Sequence, residues 1–66
     1  MIHSFILNYL DSMRIQILDT HGNTNTICII IKCNKDLIVP LLQYEEVQDI
    51  ISTVKGEYHY VLVTPC

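Results

Sequence analysis

Five consecutive apolar residues, Ile27-Cys28-Ile29-Ile30-Ile31, constrain this chain more than anything else in it. A strand points successive side chains to opposite faces, so a strand with one wet face is apolar only at alternate positions. Here Ile27, Ile29 and Ile31 fall on one face, and Cys28 and Ile30 on the other. The run therefore reads as an interior strand that wants apolar cover on both sides. A chain of 66 residues has little to offer as cover. A domain of this size buries only about 60% of the surface its unfolded chain exposes. Apolar residues make up 50% of the chain, so more needs hiding than one small body can hide. The surplus predicts shelter from a second copy or from another protein.

The rest of the chain is read outward from that strand, as one domain spanning 1–66. Residues 2–11 carry Ile2, Phe5, Ile6, Tyr9 and Leu10 at the spacing of an amphipathic helix, with Leu7 off the stripe. The segment is short enough to need a surface to lean on, and a strand is the competing reading because Ile, Phe and Tyr also suit one. From Met13 to Thr20 the pattern alternates. Met13, Ile15 and Ile17 share one face, and Arg14, Gln16 and Thr20 the other, with Leu18 breaking the rule. His21-Gly22-Asn23-Thr24-Asn25 is a cluster of turn formers, which predicts a hairpin into the central strand through a loop of three to five residues. Asn34-Lys35-Asp36 marks another turn, and a short third strand is expected over 37–39. Pro40 either ends that strand or opens the next helix.

Over 41–55 the apolar residues Tyr44, Val47, Ile50, Ile51 and Val54 recur at helical spacing. Acidic residues lead the segment and Lys55 ends it, as a helix dipole favours, with Gly56 as a left-handed stop. The last strand, 57–64, places Tyr58, Tyr60 and Leu62 on one face and His59, Val61 and Val63 on the other, so it too reads as interior. The expected fold is α+β, in the order α-β-β-β-α-β. It is a mainly antiparallel sheet of three to four strands, with one long helix over 41–55 packed on one face and a short N-terminal helix. Such a two-layer arrangement leaves the second sheet face open.

Charge and motifs narrow the function by exclusion. The net charge is −3 and the four basic residues, Arg14, Lys32, Lys35 and Lys55, are scattered, so nothing resembles the basic patch that nucleic acid requires. The apolar runs fall far short of the roughly 20 residues of a membrane span, and the N-terminus lacks the basic start and cleavage site of a signal peptide. A soluble, cytoplasmic protein is expected. Cys28, Cys33 and Cys66 make an odd set, and Cys28 and Cys33 would face opposite ways in a strand, so reduced thiols are expected. His3, His21 and His59 stand alone, with no C-x₂-C or H-x₃-H pair, so no metal or cofactor is expected. Two glycines in separate turns exclude a phosphate-binding loop.

What remains is a surface. On the expected helix, Glu45 and Asp49 are four apart and share a face with Glu46 beside them, an acidic strip that suits a partner. Tyr58 and Tyr60 project from one side of the last strand, and tyrosine is enriched where proteins bind one another, although packing beneath the helix would explain them as well. The function that fits is a non-enzymatic interaction module, a homo-oligomer that binds and modulates or inhibits a larger protein. An inhibitor carried by a phage or mobile element is of this type. The alternative is a small oligomeric enzyme or ligand-binding regulatory domain, with His21, His59 or Tyr60 meeting at a subunit interface.

Overall fold

The computed structural model describes residues 1–66. It contains one α-helix, α1 (Ser4–Ser12), and four strands, β1 (Ile17–Gly22), β2 (Ile27–Lys32), β3 (Val47–Ser52) and β4 (Tyr58–Val63). The strands form one antiparallel sheet in the order β1-β2-β4-β3. The fold is α+β, with α1 and two short 3-10 turns, Lys35–Leu37 and Val39–Gln43, on one side. The central strands are β2 and β4, as the apolar character of both their faces predicts.

Helix α1 forms where the periodicity places it. Ile6 and Leu10 are fully buried against the sheet, and the Tyr9 hydroxyl donates to the Leu37 carbonyl at 2.5 Å. The helix ends on a paired cap. Arg14 N–H donates to the Asp11 carbonyl and Ile15 N–H to the Leu10 carbonyl, both at 2.9 Å, while Arg14 turns left-handed at φ 58°. Those two bonds satisfy carbonyls that a helix end leaves open, and buried Ile15 packs into the same core as Leu10. Met13 and Arg14 therefore turn the chain out of the helix, Ile15 and Gln16 belong to neither element, and β1 starts only at Ile17.

The β1–β2 hairpin turns through Asn23–Thr26, within the expected loop length. Asn23 Oδ1 accepts from Asn25 and Thr26 N–H at 2.8 and 2.9 Å, an Asx turn. Gly22 is needed there because a Cβ would sit 2.6 Å from the Thr26 carbonyl oxygen.

The long helix expected over 41–55 does not form, nor does a strand over 37–39. Leu37 ends a 3-10 turn capped by Asn34 Oδ1, and Ile38 and Leu41 plug the core with no exposure. Pro40 lies near the start of the second 3-10 turn. Glu45 and Glu46 occupy a tight turn, and Val47–Ser52 is the edge strand β3. A bulge at Gln48–Asp49 explains the misleading period. Val47 pairs with Val63, and Asp49 with Leu62, so Gln48 is an extra residue. The bulge puts Val47 and Ile50 on the same face although they are three apart. Three is also a helical spacing, and the β-branched Val47, Ile50 and Ile51 suit the strand better. The same device at Ile17/Asp19 accounts for Leu18 breaking the alternation in β1, and it moves Thr20 to the core-side register opposite Ile29. Gly56 is left-handed, at φ 71°, but in the β3–β4 turn rather than at a helix end.

One core results. Ile29 and Ile31 of β2, Val61 and Val63 of β4, and Val47 and Ile50 of β3 meet Ile6, Leu10, Ile15, Ile38 and Leu41 from the covering layer. His59 is the one polar side chain in this buried set.

Candidate interaction surface

All helical cover lies on one side, so the register of the strands defines what the other side presents. Directly paired residues of neighbouring strands share a face. Across the middle of the uncovered face run Asp19, Ile30, Tyr60 and Ile51. One row toward the β1–β2 loop run His21, Cys28, Leu62 and Asp49. At the opposite end Lys32 pairs with Tyr58, with the Lys32 ammonium 5.6 Å from the ring centroid. Leu18, extruded by the bulge, is 49% exposed, and Ile51 is 47% exposed. Ile30, Tyr60, Leu62 and Cys28 shield one another and are only half-buried. The result is an apolar band across four strands, with Asp19, His21, Asp49 and Lys32 around its margin.

The electrostatics of this face are sparse. His21 Nδ1 stands 3.9 Å from Asp19 Oδ2, and both side chains are largely exposed. Burial among its neighbours pushes the Cys28 thiol above its ordinary range, which keeps it protonated and unreactive. Burial raises the Cys33 thiol in the same way. Asp19 Oδ1 accepts from Thr20 N–H and Asp49 Oδ1 from Ile50 N–H, each at 2.8 Å, so each bulge is closed by its own carboxylate.

Of the five residues picked out as partner contacts, Tyr58, Tyr60 and Asp49 lie on this face. Glu45 and Glu46 do not join Asp49 in an acidic strip, because the helix that would align them is absent. They sit in the turn before β3, where the Glu46 carbonyl accepts from Thr64 N–H at 2.8 Å. Tyr44 packs against Phe5 with tilted rings, their centroids 4.9 Å apart, in the covering layer. Ile30, Leu62 and Cys28 belong to the surface and were legible as the second face of their strands. Leu18 and Ile51 were hidden by the bulges.

The three residues of the enzymatic alternative are not brought together. His21 and Tyr60 are on the uncovered face, whereas His59 is fully buried on the core side. His59 Nε2 lies 2.8 Å from the Cys33 carbonyl, and Nδ1 lies 2.8 Å from Ser52 Oγ. A carbonyl only accepts, so Nε2 donates to it, and the Ser52 hydroxyl pairs with Nδ1. The arrangement is nucleophile, base and orienting group in outline. A substrate has no access to it, since the ring has no exposed atom and neither Ser52 nor His59 lines a cleft. Its effect is to tie the β3–β4 hairpin to the end of β2.

Two shallow clefts exist. One, of about 300 Å³, lies between Ile2, Thr20, Asn23 and Pro65 with His21 on its border, and the other lies beside Cys33 and Gly56. No group of three His, Cys, Asp or Glu side chains gathers in either. No helix is long and apolar enough to cross a membrane. Compared with protein-family models, curated proteins and solved structures, the chain matches none.

Proposed function

We propose that this chain is a non-enzymatic protein-interaction module that works through its uncovered sheet face, associating with itself and modulating a larger protein. The observation that carries this reading is the band Leu18, Ile30, Tyr60, Ile51 with Cys28 and Leu62 beside it, on the side of the sheet that no helix covers. An antiparallel sheet with one wet face carries polar side chains at these positions. Here the middle of the face is apolar and the charges stand at its margin, the layout of an apolar interface core with a polar rim.

The test is sedimentation equilibrium across a wide concentration range, with Ile30→Glu as the comparison. Ile30 points away from the core, so the substitution leaves the buried cluster intact. The expected result is concentration-dependent association of the wild type and none for Ile30→Glu. A wild type that stays monomeric up to about 1 mM, weaker than the micromolar range of ordinary specific contacts, refutes self-association.

A further inference from the structure

We propose that the uncovered face takes a second copy of this chain, packed face to face about a two-fold axis parallel to the strands, so that each His21 meets the partner's Asp49. The inference rests on the interaction reading above and adds the geometry of the pair.

The sheet edges are the other route by which two such molecules join, and both are spoiled. β1 and β3 are the edge strands, and each carries a bulge beside an exposed aspartate. Bulges and edge charges are the devices that prevent strand-to-strand continuation. That leaves the face. Two sheets packed face to face keep their strands roughly aligned, so a two-fold axis lying between them runs either across the strands or along them.

An axis across the strands stacks each strand on its own copy, and it sets Asp19 against the partner's Asp19. Such like-charge contacts are unfavourable. An axis along the strands reverses the lateral order, so that β1 lies over the partner's β3 and β2 over the partner's β4. Each row then meets the same row reversed. Ile30 falls on the partner's Tyr60, and Cys28 on the partner's Leu62. Lys32 falls on the partner's Tyr58, repeating between chains the cation–ring contact already present within one. At the margin His21 falls on the partner's Asp49, twice by symmetry. Asp19 falls on the partner's Ile51 at the rim, so this axis joins opposite charges at His21 and Asp49 and keeps the two Asp19 carboxylates apart, whereas an axis across the strands through the middle row opposes them.

The size fits a weak dimer. Four strands about 4.8 Å apart and six residues long give a face of roughly 19 by 20 Å in projection. Counted on both partners that is about 760 Å² in projection, below the standard interface and in the class of weak, transient contacts.

The groups around His21 set the response to pH. Asp19 lies 3.9 Å away on its own strand, the Cys28 thiol beside it is held neutral by burial, and Met1, with its amino group, borders the adjoining cleft. In the pair, the partner's Asp49 adds a second carboxylate. A carboxylate attracts an imidazole in its protonated form, and the partner's Asp49 supplies that second carboxylate only in the dimer. The dimer is therefore tighter at acid pH than at alkaline pH.

The experiment measures the dimer Kd by sedimentation at about pH 5.5 and about pH 8 for the wild type, His21→Lys, Asp49→Asn and the double variant. Asparagine keeps the Oδ1 acceptor that closes the bulge, and His21 is exposed, so both variants retain the fold. The expected result is that His21→Lys tightens the dimer about three- to tenfold at the higher pH and abolishes its dependence on pH. In the Asp49→Asn background both effects vanish. An equal effect of His21→Lys in both backgrounds overturns the axis while leaving self-association standing. Association that survives Ile30→Glu overturns the face as the contact. A wild type that never associates, yet captures another protein through Ile30 and Tyr60, overturns the second copy as occupant and leaves the interaction reading in place.

Discussion

Arg14 is the residue that carries backbone strain. It adopts a left-handed conformation, which costs an L side chain about 1–2 kcal/mol and glycine almost nothing. Its side chain is exposed, so little packing is lost with it. Arg14→Gly is expected to stabilise the protein by about 0.5–1 kcal/mol, the relief being partly offset by the greater freedom of glycine in the unfolded chain. Thermal unfolding reads this as a rise in Tm of about 3–6 °C. His59 works in the opposite sense. His59→Ala removes a buried ring and leaves the Cys33 carbonyl and the Ser52 hydroxyl without their partner, at a cost of about 2–4 kcal/mol. Ser52→Ala gives up one hydrogen bond and costs about 1 kcal/mol. Urea titration of the pair checks the order, and equal losses would contradict the two-sided role of the histidine.

At the scale of elements, the bulges decide how the chain reads. In β3, deleting Gln48 restores an unbroken ladder, because Val47, Asp49 and Ile50 already pair with Val63, Leu62 and Val61 in turn. The deletion sacrifices the contacts of Gln48 with Thr26 and Asn25 at the far hairpin, which lie at 3.2 and 3.4 Å and are exposed. The variant is expected to remain folded, with a loss of about 1 kcal/mol, and to associate edge to edge where the parent does not. Were 41–55 helical, the same deletion would rotate every later residue by about 100° and wreck the packing. Circular dichroism and denaturant titration distinguish the two outcomes. The pattern in 41–55 misleads because a bulged strand and a helix can share an i, i+3 spacing. The charges of Glu45, Glu46 and Lys55, which match a helix dipole, are equally at home in turns.

For the whole molecule, the balance of apolar surface is the governing fact. The covering layer of α1 and two 3-10 turns is enough for one face of the sheet, with Ile29, Ile31, Val61 and Val63 fully buried beneath it. Nothing remains for the other face. If that face closes on a second copy, apparent stability depends on protein concentration, because only the folded state associates. Raising the concentration a hundredfold above Kd is expected to add about 2.7 kcal/mol. The Tm of the wild type then rises with concentration, and that of Ile30→Glu does not. A Tm independent of concentration in both would leave the face without a self-partner.

The strands that became β2 and β4 were legible because a two-faced apolar run has one physical meaning in a chain too short for a buried parallel sheet. The helix α1 was legible because its stripe is unbroken. The β1–β2 turn was legible because Gly22 and Asn23 have few other uses in that setting. What the residues alone determined is therefore the antiparallel centre of the sheet, the helix at its start and the surplus of apolar side chains. Tertiary structure decided the rest. The register of β3 against β4 made a strand of 47–52, and the two bulges chose which of Leu18, Gln48 and Ile51 face outward. Pairing placed His59 between Ser52 and Cys33. Each of these depends on contacts between residues distant in the chain, and local periodicity carries no information about which distant strand a residue will face.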